Sequence, residues 1–108
     1  MFYNRDVSIS KNINKNSWQA VFLTNNQVYF GILDYYNEQY LRLTKVYYLQ
    51  SNQDMGDKTK DNSEINLIKL GVEIHGPEDI MYISQNQVLF WENLKSDSRI
   101  VNIIKNNK

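Results

Sequence analysis

The chain has no cysteine in 108 residues, which excludes disulfide staples, thiolate metal sites and cysteine nucleophiles together. It has a single histidine, His75, so one subunit cannot build a multi-histidine metal centre. Its one proline and four glycines are scattered, and no glycine-rich phosphate cradle can be made from them. No apolar run approaches the roughly 18 residues a membrane helix needs. The opening MFYNRDVSISKNINKNS lacks the apolar centre of a secretory signal. A soluble, cytoplasmic protein is expected. Neither sign of charge is in excess: twelve Lys and Arg balance twelve Asp and Glu, so the whole-molecule field does not steer the chain toward nucleic acid or a cationic partner.

What is present points to one small domain, since this length fills a single core and leaves little for a second. The charges are unevenly spread. Residues 49–97 hold nine acidic and four basic side chains, while 98–108 hold three basic and no acidic ones. Residues 1–16 have few apolar anchors and read as an N-terminal arm; 17–104 read as the β domain, and 105–108 as a tail. Within the domain, QSNQDMGDKTKDNSE (50–64) has one apolar side chain and reads as a flexible loop.

Period-two alternation dominates the rest. From Gln19 to Leu33 it runs through Thr24-Asn25-Asn26-Gln27, a polar tetrad suited to a tight turn, because Asn tolerates positive φ and bonds locally to the backbone. Val21 and Leu23 with Val28 and Phe30 make a candidate inner face. Gly31 suits a bulge or sharp bend. Tyr40–Thr44 and Val46–Leu49 are β-branched and aromatic, which favours strand. Ile65–Leu70 reads as a strand, Val72 and Ile74 resume its alternation, and His75-Gly76-Pro77-Glu78-Asp79 marks a turn. VFLTNNQVYF (21–30) is echoed by MYISQNQVLF (81–90), which suggests a second hairpin around Ser84-Gln85-Asn86-Gln87. Ser96 or Asp97 could cap a helix through Ile104, where a further strand is the competing reading. The fold expected is mainly β: a small antiparallel, strongly bent sheet or SH3/Sm-like barrel, with a short C-terminal helix. Without crossover helices, a βαβ arrangement is excluded.

VFLTNNQVYFGIL resembles the first signature of the Sm-like and Hfq-like small barrels, through Leu23, Asn25, Gly31 and Leu33. VEIHGPEDIMYI resembles the second, with His75 at the basic position, Gly76 at the glycine, and Ile80 and Ile83 near the apolar sites that follow. The resemblance covers residues 19–83. It implies ring assembly and single-stranded RNA binding near these loops. Departures are Asn37 where aspartate is usual, Leu41 where asparagine is usual, acidic Glu78 and Asp79 beside the second loop, and the additional VLFW segment. The chain also resembles small bacterial proteins of no known activity, through its YFG, HGPED and VLFWENL segments.

Candidate chemistry is sparse. His75 could serve as an acid or base, but HGP marks a turn. Glu78 and Asp79 could pair with Asp34 or Glu38 as glycosidic chemistry requires, yet nothing in the sequence sets their separation. Ser84 lacks a nucleophile elbow, and the acidic loop around Met55 misses the calcium-loop order. A small hydrolase is therefore the least favoured reading, and no cofactor or metal is implied. Aromatic residues are the stronger signal: eight Tyr, four Phe and two Trp, more than one small core needs. Trp18, Tyr29, Tyr47, Tyr48 and Trp91 are candidate protein-interface residues, since Tyr and Trp join apolar area to a polar handle. Tyr35, Tyr36, Tyr40, Arg42, Lys45 and His75 are candidate RNA-binding residues that would stack on bases and meet phosphate. The reading that follows is a non-enzymatic protein-interaction or self-assembling module, with a single-stranded RNA-binding Sm-like protein as the alternative.

Overall fold

The computed structural model describes residues 11–50 and 65–106. They form one antiparallel sheet of six strands that is bent but not closed, and a short C-terminal helix. The first three strands are a meander: β1 (Gln19–Leu23), β2 (Val28–Tyr35) and β3 (Tyr40–Leu49). The β1–β2 turn behaves as its sequence demands. Asn26 takes φ +69°, its N–H donates to Leu23 O at 3.1 Å, and the Gln27 N–H donates to Asn25 Oδ1 at 3.1 Å.

β3 is one long strand whose far edge is shared. β4 (Leu67–Lys69) pairs with Tyr47–Leu49, and β5 (Ile80–Ser84) pairs with Tyr40–Thr44. The chain then crosses through a 3₁₀ turn, Gln85–Gln87, to β6 (Val88–Asn93), which pairs with β1 on the opposite side of the sheet. Three residues reach at most about 10 Å, so the two flanks of the sheet must curl toward each other. The turn is fastened at both ends. The Gln85 N–H donates to Gln39 O and the Thr24 N–H to Gln87 O, each at 2.9 Å. The sequence echo is therefore one hairpin and one crossover, not two hairpins: β5 and β6 each have a different strand beside them. Local sequence cannot distinguish these, because both need a polar reversal between two strands.

Burial on both faces of the sheet explains a second difference. The register sets Val21 opposite Tyr29 and Ala20 opposite Phe30, so Val28 and Phe30 do not share a face with Val21 and Leu23. Val21, Leu23, Leu33, Leu41, Leu43, Val46 and Ile83 fill the inside of the bend, joined by Ile13 from the preceding segment. Ala20, Phe30 and Tyr47 face outward beneath helix α1 (Arg99–Asn106), against Ile100 and Ile104. The helix begins where Ser98 Oγ accepts the Val101 N–H at 3.1 Å, one or two residues beyond Ser96 and Asp97. It carries Lys105 in its last turn, as the helix dipole favours. Among the described residues no helix is long and apolar enough to cross a membrane.

Gly31 lies on β2 against the backbone of β3. A Cβ there would lie 2.5 Å from Thr44 O, and the register shifts between Phe30 and Ile32. Opposite it Lys45 takes φ +54°, placing an additional residue in β3. Val72 and Ile74 do not extend a strand. They lie in a turn after β4 in which Gly71 and Gly76 have φ +125° and +65°.

Candidate functional site

Helix α1 covers only part of the outer face. Beyond it, the ladders of β2, β3 and β5 place side chains in cross-strand rows. One row is Ile32, Thr44 and Ile80; the next is Asp34, Arg42 and Tyr82. Tyr36 and Tyr40 flank the end of this grid. Tyr36, Tyr40, Ile80 and Tyr82 are exposed. The Tyr36 and Tyr82 rings meet edge to face at 5.0 Å, and the Arg42 guanidinium lies 5.5 Å from the Tyr36 centroid. Its Nη2 donates to Asp34 Oδ2 at 2.6 Å. That hydrogen bond and charge, with help from Tyr82, hold the Arg42 proton more tightly than usual against the opposing effect of burial. The Ile32–Thr44–Ile80 row lines an open groove of about 400 Å³, together with Leu33, Lys15, Asp34 and Arg42.

A second exposed surface lies on β6. Among the described residues this strand pairs only with β1, so its other edge is open. Leu89 is the additional residue at a register shift against β1 and is 61% exposed; Phe90 stacks on Phe22 at 4.3 Å yet remains 48% exposed. The sequence VLFWEN supplies neither the Lys nor the Pro that commonly blunts an edge.

The candidate residues read from sequence divide between core and surface. Tyr47 is 8% exposed, under Trp18 at 6.1 Å and Lys69 at 5.3 Å, so it belongs to the helix-side core of this subunit and is no contact surface. Trp18 packs half-buried on that core, and Trp91 half-buried on the inner one. Tyr29 and Tyr48 meet edge to face at 5.7 Å, and burial followed by the charge of Glu73 raises the Tyr29 pKa. Of the RNA-directed set, Tyr36, Tyr40 and Arg42 come together on the open grid. Tyr35 packs toward the inner core, Lys45 sits on the bulge and His75 lies in the 71–76 turn. Two of the carboxylates weighed for hydrolysis hold the fold together. Asp34 pairs with Arg42. Asp79 accepts the Val46 N–H at 2.8 Å and pairs with Lys69 at 2.5 Å.

Tyr82, Ile32 and Leu89 are not among the sequence candidates; Ile80 enters only as an apolar strand position and Phe90 only within the VLFW segment. Alternation along IMYIS puts Tyr82 on the face opposite the buried Ile83, which could have flagged it; that it meets Arg42 depends on the β3–β5 register. No protein-family model matches the chain, and no curated protein or solved structure matches it either.

Proposed function

We propose that the protein is a non-enzymatic, self-assembling interaction module whose copies pair through the open edge of β6. The observation that carries this is a strand whose outer edge has no partner among the described residues and which bears exposed Leu89 and Phe90. Unpaired backbone N–H and C=O groups offer a template for another strand, and the neighbouring apolar side chains add area that leaves water on pairing. Balanced charge adds no net repulsion between copies. Sedimentation equilibrium tests it. The expected result is a mass above one chain that is lowered in Leu89→Lys, with the circular dichroism spectrum unchanged because Leu89 lies largely in solvent. A single-chain mass for the parent protein at every concentration would sink the reading.

Single-stranded RNA is the second reading, favoured by the exposed rings of Tyr36, Tyr40 and Tyr82 beside Arg42. Asp34 weighs against it, because it neutralises the one guanidinium in the cluster. Salt-sensitive binding of an oligonucleotide, lost in Tyr36→Ala, is what this reading requires.

A further inference from the structure

The 71–76 turn is patterned inside out. Its charged residue points in: Glu73 accepts the Tyr48 hydroxyl on one carboxylate oxygen and the Gly71 N–H at 2.9 Å on the other. The Gly76 N–H closes the turn onto Glu73 O at 2.9 Å. Its two aliphatic residues point out, with Val72 74% exposed and Ile74 wholly so. Single exposed aliphatics are ordinary. Two of them held on a hydrogen-bonded tip, with the charge between them turned inward, gain no burial in the isolated chain.

The groove over Ile32, Thr44 and Ile80 has the opposite character. It is concave, largely apolar in its lining, and within the roughly 300–1,000 Å³ typical of binding pockets. Arg42 and Asp34 cancel each other in the lining, and among the described residues Lys15 forms no ion pair. Its occupant should therefore offer an aliphatic side chain close to a carboxylate. The turn fits on both counts, because exposed Glu78 follows Ile74 by four residues and forms no ion pair among the described residues.

We propose that the 71–76 turn is a docking hook that seats Ile74 and Val72 in the Ile32–Thr44–Ile80 groove of a second copy of this chain, with Glu78 meeting Lys15. This contact is separate from the β6 edge. A chain without cysteine permits a direct test. Lys15→Cys and Glu78→Cys proteins, each also carrying Leu89→Lys to disable the β6 edge, are mixed in equal amounts under a mild chemical oxidant. The heterodisulfide is expected well above the half share that random pairing of the two chains would give. Ile74→Ser in the Glu78→Cys chain should lower its yield about tenfold, as expected for one lost buried aliphatic side chain. Ile74→Val should largely restore it. Ile74 touches only solvent in the monomer, so these substitutions leave folding intact. A statistical mixture of disulfides, or an excess indifferent to Ile74→Ser, would overturn the hook. Neither result bears on the mass difference between the parent chain and Leu89→Lys, which tests the β6 edge alone.

Discussion

Gln19 is a polar side chain with no exposed surface, and each end of its amide has a reason to be there. β1 begins at Gln19, whose backbone partner is Gly31, so Leu33 on β2 lies beyond the ladder. Gln19 Oε1 accepts the Leu33 N–H at 2.8 Å in place of a strand. Nε2 donates to Asn14 O at 2.8 Å and to Asn93 Oδ1 at 3.0 Å, fixing the segment before β1 and the end of β6. Gln19→Leu should cost about 2–3 kcal/mol in urea denaturation, since it strands a buried donor among apolar neighbours. Tyr29 gives a prediction in pH. Its pKa is raised from 10.0, first by burial and then by Glu73, so the folded state holds the phenolic proton more tightly than the unfolded chain. That contribution is complete below pH 10 and is lost as pH rises through the raised folded value. Between pH 9 and 12 the parent protein should lose stability more steeply than Tyr29→Phe, as followed by denaturant melts at each pH.

At the scale of elements, the β3 bulge shows how distant residues complete a strand. With Lys45 at positive φ, the Val46 N–H is turned out of the β2–β3 ladder, and Asp79 accepts it from beyond the 71–76 turn. Asp79→Ala should destabilise the protein by about 1–3 kcal/mol. Asp79→Asn retains an acceptor for Val46 and gives up only a half-exposed ion pair with Lys69, so thermal melts should place it much nearer the parent. Such roles mark the limit of what the sequence discloses. The strands, the Asn26 turn, the bend at Gly31 and the helix with Lys105 near its end were legible because each depends on local propensity or steric freedom. Long-range register was not legible. It decides that Phe30 faces the helix, that Tyr47 is core while Tyr82 is surface, and that MYISQNQVLF bridges two flanks of the sheet. Val72 and Ile74 misled because alternation alone does not reveal that a glycine on either side can turn the chain out of the sheet. The site suffered most, since its grid combines β2, β3 and β5 through pairing that no single segment encodes.

For the whole molecule, an outer face that the helix covers only in part and the strand edges left unpaired among the described residues define the balance between stability and association. Both faces of β1 are spent on cores, and the exposed apolar residues collect on β6, the 71–76 turn and the outer grid. Assembly through β6 would also stabilise the fold by mass action. Calorimetry should then find a parent melting temperature that rises with protein concentration more steeply than that of Leu89→Lys.

The Gln85–Gln87 crossover has a consequence for how the chain folds. Thr24 and Gln87 share a backbone bond and a 2.6 Å side-chain bond across 63 positions. Closing so long a loop carries an entropic cost that local contacts do not repay, and folds rich in distant pairings are slow to form. The β1–β2–β3 meander can be assembled from neighbours, but this clasp can lock only after β5 has found β3 and β6 has found β1. The Thr24 amide is thus a reporter of completed folding: its protection from hydrogen exchange should arise late in refolding, after that of the Asn26 turn beside it.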